Sequence, residues 1–124
     1  MTETHDSTLA YVSRAMVALH KEQFGRGPTK ARTHLAGPDA MITILEDALL
    51  PAEKAMVAMG ESLRVQESRS FMQTATQDRF IRTVEEIVYR KVRSFQSACD
   101  PQTGIITELM IFEPHASDGE ATSE

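Results

Sequence analysis

Hydrophobic and polar residues follow two different periods along the chain. Within residues 7–24, apolar side chains recur three or four positions apart, which predicts an amphipathic helix that buries one face. Gly25 suits the left-handed backbone that often ends a helix, and Pro28 prevents the helix from continuing. The apolar positions of this helix are Leu9, Val12, Met16 and Leu19.

Four shorter stretches alternate with a period of two and predict strands. Residues 29–36 and 39–46 flank "GPD", which indicates a hairpin turn. Residues 93–99 and 105–112 flank "DPQTG", a second turn with Pro and Gly in favourable places. The chain therefore contains two predicted β-hairpins.

Two further helices are predicted between the hairpins. A short one begins at Pro51 and ends at Gly60, with an apolar stripe at Ala52, Ala55, Met56 and Met59. A long one runs from Phe71 to Val92, with its core positions at Phe80, Val84, Ile87 and Val88. Residues 61–70, "ESLRVQESRS", favour no single state.

The resulting order, α-β-β-α-α-β-β, predicts an α+β fold with a four-stranded, mostly antiparallel sheet and helices packed on one face. Hairpins define the neighbours within each pair of strands but leave the order of the pairs open. Strands 39–46 and 105–112 are apolar on both faces, as Ile42 and Leu45 illustrate in the first and Leu109 and Met110 in the second. A sheet covered by helices on one side would leave apolar surface exposed on the other, so we expect a homo-oligomer, most simply a dimer.

Length and composition fit one domain at residues 7–113, between a flexible N-terminal tail at 1–6 and a flexible acidic C-terminal tail at 114–124. No apolar run approaches the ~20 residues of a membrane helix, and the first residues do not resemble a signal peptide. The single cysteine, Cys99, excludes an intramolecular disulfide. We therefore expect a cytoplasmic protein. Its net charge of -5 comes from the acidic tails and argues only weakly against nucleic acid.

The segment "FGRGPTKART", residues 24–33, is the strongest candidate for ligand binding. Glycine-rich turns can direct several backbone N–H groups at an anion, and a strand would place Lys30, Arg32 and His34 on one face. The segment lacks the Gly-Lys-Ser/Thr run of a P-loop and leads into a strand. It is either a site for an anion or a partner, or a helix end followed by a solvated basic strand.

Other candidate chemistry is sparse. The four histidines and Cys99 lack zinc-site spacing, so no metal, cofactor or catalytic residue is predicted. A buried strand-end thiol is the simplest interpretation of Cys99. Basic residues of the long helix could contact RNA together with Lys30 and Arg32, but no aromatic RNA-binding motif accompanies them. These basic residues are Arg79, Arg82, Arg90, Lys91 and Arg93.

Several segments in order resemble the MpsC family of small bacterial domains, named after a sodium-translocating, membrane-potential-generating system. They are "GRGP", "LLPAEKAM", "RVQESR", "FIRTVEEIVYRKVRSF" and "DPQTGIITELMIFEP", and together they span about residues 8–114. Family members often have Gly-Lys-Gly-Pro at "GRGP", a Leu-Thr pair at Leu50-Pro51 and a glycine near Tyr89. Arg26 stands in place of that lysine and keeps the positive charge. The other two differences lie at helix boundaries.

The resemblance implies association with membrane machinery, in related systems sodium-dependent bicarbonate or inorganic-carbon uptake, with this chain as a cytosolic partner of a transporter. It supplies no catalytic residues. Our leading hypothesis is a non-enzymatic accessory or regulatory domain that binds a protein and also a small anion. A nucleic-acid-binding module and a small enzyme assembled between subunits are the alternatives. The candidate ligand or partner residues are Gly25, Arg26, Gly27, Lys30, Arg32, His34 and Arg69, with Glu53 as a weaker one.

Overall fold

The computed structural model describes residues 2–114, with side chains described from residue 7 onward. Its elements confirm the predicted order and the antiparallel sheet. They are α1 (Thr2–Phe24), β1 (Lys30–Leu35), β2 (Ala40–Glu46), α2 (Pro51–Ala58), α3 (Ser62–Val88), β3 (Val92–Asp100) and β4 (Ile105–Phe112). The backbone of α1 begins ahead of the expected start at residue 7. The predicted C-terminal tail lies outside the described residues except for Pro114, and the flexibility of both tails stays a prediction.

The sheet has the order β1-β2-β4-β3, so the strands that are apolar on both faces are the two central ones. In the β2–β4 pair, Met41 lies opposite Met110 and Ile42 lies opposite Leu109. The helices α1 and α3 pack against one face of the sheet, where Met41 and Met110 are buried. The core also contains Val12, Met16 and Leu19 of α1, Phe80 and Val84 of α3, and Leu45, Ile106 and Phe112 of the sheet.

The long helix begins nine residues earlier than predicted because its buried stripe contains polar residues. Val65, Arg69, Gln73, Phe80 and Val84 are buried at spacings of four or seven, as one face of a helix requires. Arg69 and Gln73 interrupt the hydrophobic signal over the first half of α3. A search for apolar periodicity alone therefore misses this half.

The predicted end of the long helix at Val92 is wrong, because α3 ends at Val88 and Val92 begins β3. Tyr89 adopts a left-handed backbone with a φ of 58°, which stops the helix, and its N–H donates to the Glu85 carbonyl. Members of the MpsC family, which the sequence resembles, often have a glycine near this position. Glycine adopts this conformation without the steric penalty of roughly 1–2 kcal/mol that other residues incur.

The apolar stripe predicted for α2 does not face the core. Ala52 and Ala55 are exposed, Met59 is 75% exposed, and α2 has no buried residue. The main contact of α2 is with α3 rather than with the sheet, so α2 lies at the periphery of the domain.

Candidate functional site

The "GRGP" turn is built as a connection between α1 and β1. Gly25 has a φ of +84°, and its N–H donates to the Lys21 carbonyl at 2.7 Å, which confirms its predicted role at the end of the helix. A Cβ atom on Gly27 would lie 3.0 Å from the Val17 carbonyl oxygen and 3.2 Å from Val17 Cγ1. A side chain at this position would therefore crowd α1, so the close approach of the turn favours glycine without any ligand.

Arg26 binds the loop between β2 and α2. Its Nη1 donates to the carbonyls of Asp47 and Leu49, both at 3.0 Å, and its Nη2 donates to Asp47 Oδ2 at 2.9 Å. Hydrogen bonds from Arg26, and then from Lys54 and Thr29, lower the pKa of the Asp47 carboxyl. The guanidinium that was predicted to bind an anion thus has an internal carboxylate and two carbonyls as partners.

Lys30, Arg32 and His34 lie on one face of β1, as alternation predicts, and all three are exposed. They project from the sheet face opposite the helices, at its β1 edge. Arg32 Nη1 donates to Glu46 Oε2 on the neighbouring strand at 2.9 Å.

Arg69 is separated from that basic row and lies inside the protein, with 5% of its side chain exposed. Its Nε and Nη2 donate to the two carboxylate oxygens of Glu53 at 2.8 and 2.6 Å. Nη2 also donates to the Ala48 carbonyl at 3.0 Å, and the guanidinium carbon lies 3.9 Å from the centre of the Phe24 ring. The segments "LLPAEKAM" and "RVQESR" therefore meet in a bidentate ion pair, the strongest form of this contact.

Glu53 connects this ion pair to the start of α2. Its Oε1 accepts the Leu50 N–H at 2.8 Å. Burial acts to raise the pKa of Glu53, but the hydrogen bonds from Arg69 and Leu50 outweigh it, and the pKa is lowered. Arg26 and Arg69 consequently hold three successive carbonyls of the 47–49 loop from two sides.

A second buried pair was missed in the sequence. His20 Nε2 lies 2.8 Å from Glu108 Oε2, and the two side chains are 2% and 1% exposed. His20 also stacks on Phe24 and meets the edge of Phe80. Two features of the sequence could have indicated this pair. His20 lies four residues after Met16 on the core stripe of α1, and Glu108 lies between Ile106 and Met110 in the alternation along β4.

Between α3 and β3 lies a cavity of about 230 Å³, lined mainly by polar residues whose atoms facing the cavity are mostly apolar. Its walls include His20, Arg69, Gln73 and Cys99, and exposed residues such as Gln66 and Ser70 connect it to the surface. Burial raises the pKa of the Cys99 thiol, although the positive charge of Arg69 opposes the shift. His20 and Cys99 thus line one cavity, which sequence reasoning did not foresee, but the thiol is not activated and His20 Nε2 is bonded to Glu108.

Other candidate chemistry has simpler partners. No group of three His, Cys, Asp or Glu residues in the described part of the chain could hold a metal ion. The cations predicted to contact RNA include Arg79, which pairs with Glu22, and Arg90, which binds Asp39 at 3.0 Å. These ion pairs reduce the positive field that a nucleic acid would require.

Comparison with known proteins adds one match. Residues 4–114 match the model of the family described as "Na+-translocating membrane potential-generating system (MpsC)". No curated protein and no solved structure matches the chain. Within residues 2–114, no helix is long and apolar enough to cross a membrane. Since the match covers nearly the whole chain, including the "GRGP" turn and the Glu53–Arg69 pair, the protein belongs to the MpsC family.

Proposed function

We propose that this protein is a non-enzymatic accessory domain of the sodium-linked membrane system in its family description, and that it acts by binding protein. The observation that supports this proposal is the sheet face opposite the helices. The outward positions of the two central strands are mostly aliphatic, at Ile42, Ile44, Leu109 and Ile111, each only partly buried, and Thr107 and Glu46 are the polar exceptions. An antiparallel sheet with one solvated face normally has polar residues at such positions.

The occupant that we propose for this face is a second copy of the chain. On the same face, β1 presents Lys30, Arg32 and His34, whereas β3 presents Gln96, Ala98 and Asp100, and the cation of β3, Arg93, lies at the bulge near the start of the strand. A two-fold axis parallel to the strands would place β1 of one protomer over β3 of its partner, so that the face is complementary to itself. The central aliphatic residues would then be covered in both protomers.

The membrane partner would contact the helical side of such a dimer. Met59, Leu63 and Phe71, in and next to the α2–α3 hairpin, are 75%, 64% and 71% exposed. Large apolar side chains at this exposure are typical of binding surfaces. We place the domain on the cytoplasmic side of the membrane, next to a transporter, and the connection with bicarbonate uptake stays a prediction from the family resemblance.

Sedimentation velocity tests the dimer. We expect the wild type to be dimeric at micromolar concentrations and Leu109→Lys to be monomeric and folded, because the new charge would lie in the centre of the apolar face. Leu63→Lys is the matched control and should remain dimeric, since Leu63 is on the helical side. A wild-type monomer, or equal dissociation of both variants, would contradict the proposal.

Crosslinking in native membranes tests the accessory role. A membrane protein crosslinked by the wild type should be lost with Phe71→Ser and retained with Tyr11→Ser, which removes an aromatic side chain that is 56% exposed on α1. Identical crosslinking by both variants would show that the α2–α3 hairpin does not bind the partner.

A further inference from the structure

The cavity between α3 and β3 lies on the helical side of the sheet, away from the face proposed for dimerisation. Its volume of about 230 Å³ is several times the ~30 Å³ that a water molecule occupies in the liquid. It is below the roughly 300–1,000 Å³ of pockets for drug-sized ligands, which excludes a nucleotide. The space fits a molecule with a few non-hydrogen atoms.

Two buried polar groups in the cavity wall have atoms without a partner in the protein. Gln73 is 8% exposed and its Nε2 makes no hydrogen bond, and His20 is 2% exposed and its Nδ1 makes none. An amide nitrogen is always a donor, and an unmade bond at a buried donor lowers stability. A leucine at position 73 would avoid this penalty, whereas the amide is available to a molecule in the cavity.

The charged side chain in the lining is that of Arg69. Arg69 lines the cavity, whereas its partner Glu53 and the partner of His20, Glu108, do not. The bonds of Arg69 to Glu53 and Ala48 use Nε and Nη2 and not Nη1. Ser70 and Ser97 add hydroxyl groups to the wall. The wall therefore offers a guanidinium, an amide and hydroxyl donors, while the carboxylates of Glu53 and Glu108 lie behind it.

We propose that this cavity binds a small monocarboxylate anion, with Gln73 Nε2 and Arg69 as the donors to its two oxygens. One arginine that is already paired with a glutamate suits a single negative charge better than the double charge of phosphate. The planar carboxylate also matches the planar donors of guanidinium and amide groups. This ligand site is independent of the dimer and of the membrane partner.

Cys99 is a built-in reporter, because it lines the cavity and is the single cysteine of the chain. The experiment measures the rate at which methyl methanethiosulfonate, a small neutral reagent, labels Cys99 in the full-length protein. With acetate at ten times its Kd, the unliganded fraction and hence the labelling rate should fall about tenfold. Chloride at the same ionic strength should leave the rate unchanged.

Two variants on the same helix complete the test. Gln73→Leu should abolish protection by acetate while raising the Tm, because it removes an unpaired buried donor. Gln77→Leu, one turn further along α3 and exposed, should keep full protection. Absence of saturable protection by acetate, formate and propionate would overturn the proposal and leave a water-filled cavity. Stronger protection by inorganic phosphate than by acetate, or full protection of Gln73→Leu, would also overturn it.

Discussion

The two faces of the sheet both depart from the usual distribution: the covered face includes polar residues within its hydrophobic core, and the uncovered face is largely aliphatic at its centre. On the covered face, Glu108 is 1% exposed at the centre of β4, and Thr33 and Thr43 are buried beside it. On the uncovered face, the matching central positions are aliphatic, as at Ile44 and Leu109. Helices thus cover a face that contains charge, and no described element covers the aliphatic one.

The two proposals give the two faces different roles. Buried charges are destabilising unless they are paired, so the covered side needs a specific partner for each of them, and one member of each pair, Arg69 or His20, lines the cavity. The uncovered face needs no directional bonds to be stable in contact with another apolar surface. The covered face is therefore suited to a small polar ligand, and the uncovered face to a second protein chain.

The largest effect should come from leaving a buried cation unpaired. Glu53→Leu removes both carboxylate acceptors of Arg69, which cannot lose its proton and keeps only the Ala48 carbonyl, and should lower the free energy of unfolding by about 3–5 kcal/mol. Arg69→Met should be milder, because Glu53 can be protonated and keeps the Leu50 N–H. Urea unfolding of both variants measures the difference. Equal losses would show that the covered face does not depend on the charge of Arg69.

The His20–Glu108 pair should give smaller single effects and strong coupling. His20→Leu and Glu108→Leu each leave a buried polar group unsatisfied, at a cost of about 1–3 kcal/mol. The double variant should be less destabilised than the sum of the two, because two apolar side chains need no hydrogen bond. A double-mutant cycle by chemical denaturation measures this, and additive losses would show that the two residues do not act as a pair.

Acid should lower the free energy of unfolding, because it protonates Glu53 on the covered side of the sheet. The folded-state pKa of Glu53 lies below its ordinary value of 4.5, so its contribution is present above pH 4.5 and is lost as the pH falls through the lowered pKa. Asp47 acts in the same direction below its ordinary value of 3.8. Unfolding experiments between neutral and acidic pH should show this loss, and Arg69→Met should show less of it. An identical acid profile in that variant would contradict the assignment.

The smallest effect should come from the cations of the uncovered face. Arg32 pairs with Glu46, but these side chains are 54% and 32% exposed, so Arg32→Gln should change stability by no more than about 1 kcal/mol. Lys30→Gln is the control, with a change within about 0.5 kcal/mol. Thermal unfolding measures both, and a large loss in Arg32→Gln would show that the β1 edge is part of the core.

Local pattern predicted the strands well because each requires only a few alternating residues and a turn. The bounds of β1 to β4 differ from expectation by one residue at most, and Gly25 has its expected left-handed backbone. The first half of α3 was missed because Arg69 and Gln73 occupy its buried face. Among the candidate residues, Arg69 was identified from the family resemblance, whereas its location inside the protein could not be inferred from its charge.

By itself, the sequence determined the order of the elements, the two hairpins and the residues that share a face, because period and turn chemistry are local properties. The tertiary structure decided which face of β2 and β4 is covered. It also decided that Arg69 meets Glu53, 16 residues away, and that His20 meets Glu108, 88 residues away. Hydrophobic burial is not directional, so two apolar faces are equivalent until the strands adopt the order β1-β2-β4-β3 and the helices pack against one side.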